Sequence, residues 1–193
     1  HPSLPVKSVG ELIALAKAQP GMLNYAAAPN GSANHLGAEL FKSMVGVNIV
    51  AVPYKGTEPA LVDLLSGQVQ LMFPSASGMG PAIKSGKVRA LAVTALRPSP
   101  LAPGLPTLAA AGLPGFEAGA VNAIMAPAKT PAAIVTRLNQ EIVRFLSTAE
   151  VKERFLSYGT EAAPTSPEEL AAKIKSEMAS MGKLIRDARI RAE

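Results

Sequence analysis

Residues 24–41, NYAAAPNGSANHLGAELF, hold the junction in this chain that is best suited to chemistry. A short run of apolar and small residues meets Pro29-Asn30-Gly31-Ser32. A strongly helical pattern follows, with His35 in its first turn. Free backbone amides at a helix start, aided by the helix dipole, hold anions, and Gly31 and Ser32 leave a carboxylate room to approach. The same residues also make an ordinary tight turn with a capped helix. His35 has two uses as well: donating to a bound anion, or orienting the loop. Lys55-Gly56-Thr57 is a second helix-entry turn, where the Gly56 amide and the Thr57 hydroxyl could meet a ligand and Lys55 supply positive potential. Pro74-Ser75-Ala76 closes a third apolar run, either as a ligand contact or as a strand-ending proline.

Catalysis is weakly served by these residues. Ser32 and His35 stand three apart and could share a helix face, but no third residue is fixed beside them. His1 and His35 form no metal-ligand spacing, and the chain has no cysteine, which excludes thiolate metal sites, disulfides and Cys nucleophiles. No catalytic residue, metal or cofactor is expected.

Composition narrows the classes further. The chain has 193 residues, 48% hydrophobic and 17% charged, enough to bury a real core. Aromatic residues make up only 4% and there is no Trp, so stacking platforms for sugars or single strands are poorly supplied. The formal charge of +5 favours anions. The densest basic group, Lys183, Arg186, Arg189 and Arg191, is confined to the C-terminus, where cations suit a helix end better than a nucleic-acid stripe. No nucleic-acid partner is expected. No run approaches the ~20 apolar residues that span a membrane. The chain starts at His1 rather than Met and carries no signal peptide, so a processed product, a fragment or a trimmed form is expected.

The elements that position the candidate residues follow from periodicity. Ser8 caps a helix carrying Val9, Leu12, Ile13 and Ala16, stopped at Pro20-Gly21. Strands are predicted at Met22–Ala26, Val47–Val52, Val69–Phe73 and Val88–Thr94. Helices fall between them: one to about Val45, ended by Gly46; one capped by Thr57 and ended by Gly67; and a short one near Ala82–Ser85. This alternation predicts an α/β domain with a mostly parallel sheet, whose ligands bind at the carboxyl ends of the strands. The three candidate turns lie there. A proline-rich wrapping loop follows, with one short helix expected at Thr107–Ala111, and AVNAIMAP reads as a fifth strand. Three amphipathic helices complete the chain, the last opened by a Ser166/Glu169 capping box. A lone fifth strand must join the first sheet or find partner strands elsewhere.

The stretch NYAAAPNGSANHLGAELFKSMVGVNIVAVPYKGTEPALVDLLSGQVQLMF closely resembles the Bug (TctC-like) family. These are periplasmic solute-binding receptors of tripartite tricarboxylate transporters. SGKVRALAVT, LPTLAAAGLPGFE and APAKTPAAIVTRLNQEI continue the resemblance in the same order, over essentially the whole chain.

The resemblance implies a periplasmic binding protein-like α/β fold of two lobes around a cleft. Residues 8–117 correspond to a complete second lobe. Residues 118–193 correspond to the returning strand and C-terminal helices of the first lobe, whose N-terminal part is missing here. Pro29, Asn30, Gly31, Ser32 and His35 match the second lobe's ligand loop, with Gly56, Thr57, Pro74 and Ser75 around it. Relatives often carry Asp where this chain has Pro74, which favours a plain carboxylic acid over an amino acid. The implied partners are a small organic acid and membrane transporter subunits, in the periplasm. Two other readings are retained: a truncated, ligand-independent interaction or sensory module, with a dimer or complementing chain on its exposed apolar surface, and a hydrolase using Ser32.

Overall fold

Ser8 opens the first helix as the sequence predicts. Its hydroxyl accepts the Glu11 amide at 3.2 Å, and the Glu11 carboxylate reaches back to the Lys7 amide at 2.6 Å. The computed structural model describes residues 1–190, so Arg191 of the C-terminal basic group lies outside the described residues. The elements run α1 (Val9–Ala18), β1 (Asn24–Ala27), α2 (Ala33–Val45), β2 (Val50–Pro53), α3 (Thr57–Ser66), β3 (Leu71–Met72), α4 (Gly80–Lys84), α5 (Ala132–Leu146), α6 (Ala149–Ser157) and α7 (Pro167–Asp187). They form two compact units. One is His1–Ala120 with the chain end from Lys183, and the other is Val121–Gly182.

In the first unit, β1 lies between β2 and β3, and both pairings are parallel. Register sets Asn24 beside Val50, and Tyr25 beside both Ala51 and Leu71. Successive β1 side chains enter opposite layers, as the strand period requires. Tyr25 and Ala27 join a core with Leu12, Phe41, Ile49 and Phe116, while Ala26 joins Ala60, Leu64, Val69 and Met79. Helices thus cover both faces of a small parallel sheet, which is why β1 is apolar at consecutive positions. Gly46 ends α2 with φ 65°, a left-handed turn that glycine adopts without a side-chain clash.

Two predicted strands do not form. Val88–Thr94 pairs with no strand of the sheet; Val93 makes only a single parallel bridge to Thr107. Its amide reaches the Pro106 carbonyl, but Pro106 has no N–H to continue a ladder. Upstream, Arg89 is drawn away by the Leu4 and Val6 carbonyls, at 3.3 and 2.7 Å. The AVNAIMAP segment is likewise not a strand: residues 121–127 are exposed and find no ladder partner among the described residues. Thr107–Ala111 is a single capped turn rather than a helix, with the Thr107 hydroxyl accepting the Ala110 amide at 3.0 Å.

In the second unit, Ser166 and Glu169 complete the predicted capping box at 3.1 and 2.8 Å. Asn139 ties α5 to the loop before α7 through the Thr165 carbonyl. The α5 stripe is bare: Ile134 and Leu138 are 50% exposed and Phe145 is 60% exposed. No residue of α5 is buried. No helix among the described residues is long and apolar enough to cross a membrane.

Candidate functional site

The carboxyl ends of β1 and β3 meet the starts of α2 and α3 in the first unit. Ala26, Ala28, Met72 and Phe73 floor a small cleft there, and its sides come from Pro29 and Asn34 on one hand and Gly56, Thr57 and Ala60 on the other. Its volume is about 50 Å³, room for one small polar group rather than a whole organic acid. Every lining residue is uncharged. Attraction for an anion must therefore come from the two helix ends and the protein's net charge.

Local sequence explains how the walls are held. Gly31 has φ 78°, a left-handed conformation that turns the chain from β1 into α2. Ser32 caps α2, its hydroxyl accepting the His35 amide at 3.3 Å, while the Ser32 amide is spent on the Pro29 carbonyl. The Ala33 and Asn34 amides stand in the first turn of α2, where an α-helix offers them no carbonyl of its own. At the other wall, the Tyr54 amide donates to the Ala27 carbonyl at 3.0 Å, stitching β2's exit to β1's end. The Tyr54 phenol donates to Asp63 Oδ2 at 2.6 Å, which fixes the turn against α3. That bond, with lesser help from burial and the Asp63 charge, pushes the Tyr54 phenol up to about 12. Thr57 is the first residue of α3 rather than its cap. Gly56 occupies the cap position and offers no side chain, so the first amides of α3 stay open.

Of the residues predicted from sequence, Pro29, Gly56 and Thr57 lie together on the cleft. Asn30 and Gly31 sit on the exposed loop above it, and Ser32 is engaged as the cap. His35 is buried at 7% exposure and faces the loop from behind, with Nδ1 accepting the Gly31 amide at 3.2 Å. Pro74 and Ser75 follow one step beyond Phe73, the last residue of that segment to line the cleft. Ser32 and His35 make no side-chain hydrogen bond to one another, so the hydrolase dyad does not form. Sequence reasoning passed over Asn34, Met72 and Phe73. Asn34 was readable as the second residue of a capped helix. Met72 and Phe73 were hidden because apolar residues closing a strand look like core.

The model of the tripartite tricarboxylate transporter family receptor, TctC, matches residues 1–190. The chain belongs to this family. It is similar to the UPF0065 protein in the tcbD-tcbE intergenic region of Pseudomonas sp. strain P51, 38% identical over 96% of this chain and 56% of that protein. Among solved structures it resembles R. palustris Rpa4515 with adipate, at 39% identity and TM-score 0.76, covering 97% of this chain and 63% of the other. It also resembles MatC (Rpa3494) from Rhodopseudomonas palustris with bound malate, at 30% identity and TM-score 0.68, covering 94% and 63%. The chain thus has the α/β fold of periplasmic binding proteins and spans about half the length of the curated relatives it matches.

Proposed function

We propose that this chain is part of a periplasmic solute-binding receptor that captures a small carboxylic acid for a tripartite tricarboxylate-type transporter. The observation that carries the reading is the meeting of two helix starts across an uncharged cleft, with Asn34 in the first turn of α2 on one side and Gly56-Thr57 at the start of α3 on the other. Amides at helix starts bind a carboxylate through charge-assisted hydrogen bonds and repel nothing. Adipate and malate in the related structures are both dicarboxylates, which fits a cleft that grips one carboxylate end. The α/β unit 8–117 acts as one lobe. Residues 121–182 belong to the other lobe, and closure between the two excludes water and presents the liganded form to the membrane subunits. No chemistry is performed on the ligand.

Calorimetric titration with adipate and with its neutral diamide tests this reading. Binding of the diacid at about millimolar strength, ~4 kcal/mol, with no heat from the diamide, is the expected result. Equal binding of both removes the carboxylate claim.

A second reading, a ligand-independent interaction module, draws on one observation: the exposed Ile134, Leu138 and Phe145 stripe of α5. It requires self-association or partner capture that is insensitive to any acid.

A further inference from the structure

Three helices here begin with the same device and differ in one residue. At α1, Ser8 caps and Glu11 reaches back to the Lys7 amide. At α7, Ser166 caps and Glu169 reaches back to the Ser166 amide. At α2, Ser32 caps and the residue reaching back is His35, whose Nδ1 accepts the Gly31 amide. The lining of the cleft includes Asn34 of α2 and no residue of the first two helix starts. A carboxylate in the third position would set a negative charge at the helix end where an anionic ligand must sit. Neutral imidazole supplies the same acceptor without the charge, and the Gly31 bond requires the tautomer protonated on Nε2. A protonated Nδ1 cannot accept, so the bond to Gly31 is open only to the uncharged ring.

We infer that His35 is a positioning residue of the cleft: its uncharged Nδ1 locks the Pro29–Gly31 loop, and protonation of the ring releases that loop. Its importance for capture rests on the carboxylate reading above; the lock itself does not. The other titratable groups near α2 are accounted for. Tyr25 of β1, Glu39 and Lys42 of α2 are bonded to one another, and Glu117 lies on the segment that crosses α2, where Ala118 meets Gly37.

Amide hydrogen exchange at Gly31, followed by NMR across the pH range in which the His35 ring protons change shift, tests the lock directly. In the unaltered chain, Gly31 protection should fall about fivefold or more as the His35 ring takes up its proton, after correction for intrinsic exchange. His35→Asn retains an acceptor at the same distance along the side chain and does not titrate, so its Gly31 protection should stay flat. Protection that ignores His35 protonation, or a His35→Asn chain that loses protection with pH as the unaltered one does, overturns the inference. His35→Glu should hold the loop at every pH in this range yet weaken adipate binding at least about fivefold relative to His35→Asn. Equal adipate affinity in the two variants overturns the charge argument. A chain that binds no acid at all while Gly31 still follows His35 leaves the lock standing and removes the receptor reading.

Discussion

Tyr25 of β1 donates its phenol proton to Glu39 Oε1 of α2 at 2.8 Å, and Lys42 completes the group at 2.6 Å from the same oxygen. Tyr25 is 1% exposed, with Phe73 edge-on at 6.3 Å and Lys42 above its ring at 5.5 Å. Burial first, then the bond to Glu39, raises the phenol far above its usual range. This group ties α2 to the strand whose far end floors the cleft. Removing the hydroxyl leaves Glu39 short of a donor, so Tyr25→Phe should cost about 1–2 kcal/mol in urea unfolding. An unchanged midpoint would show that the bond contributes nothing net.

Tyr54 and Asp63 carry the pH prediction. The folded phenol is raised to about 12 from its ordinary 10. A raised pKa means the folded state holds the proton more tightly, so this stability is fully present below pH 10 and is lost as pH rises through about 12. Phenolate absorbance should show one tyrosine titrating near 12. Asp63→Ala should return that step toward the ordinary range and flatten the alkaline loss of stability. An unmoved step would place the cause elsewhere.

Gly56 separates binding from folding. Its φ of −176° is extended backbone, and an added Cβ would meet only Glu58 Oε2 at 3.6 Å and Pro59 Cδ at 3.9 Å. Gly56→Val should therefore keep stability within about 1 kcal/mol. With only about 50 Å³ in the cleft, its added bulk should reduce carboxylate affinity tenfold or more. Calorimetry and thermal melting measure the two effects separately.

The exposed α5 stripe makes a prediction about solubility. Leu138 is 50% exposed, so Leu138→Gln should change unfolding free energy by no more than about 0.5 kcal/mol. Sedimentation velocity should show less self-association in the variant than in the unaltered chain, since an exposed apolar patch has shrunk. Identical sedimentation would mean that the stripe attracts no second copy.

Elements with strong local signals were legible in the sequence. Ser8, Ser32 and Ser166 cap helices where their patterns place them, and Gly46 and Gly67 end helices in left-handed turns. Parallel alternation from β1 to β3 located the strand ends, and so the cleft. Strands were harder where pairing decides them. Val88–Thr94 has β-forming residues but meets Pro106 instead of a ladder, and 121–127 has no ladder partner among the described residues. A strand is a relation between segments, which composition alone does not supply. Pro29, Gly56 and Thr57, named from their helix-entry turns and the family resemblance, line one cleft, but the sequence does not tell which way His35 turns. That depends on the Gly31 amide, which donates to His35 Nδ1 once the loop has turned.

The central claim is that a carboxylate sits between the starts of α2 and α3. Backbone amide shifts of the labelled chain, recorded during titration with adipate, test it most directly. Saturable shifts concentrated at Ala33, Asn34, Gly56 and Thr57, absent with the neutral diamide, are the expected result. Shifts confined to other surfaces, or none at tens of millimolar against the expected affinity of about 1 mM, would contradict it.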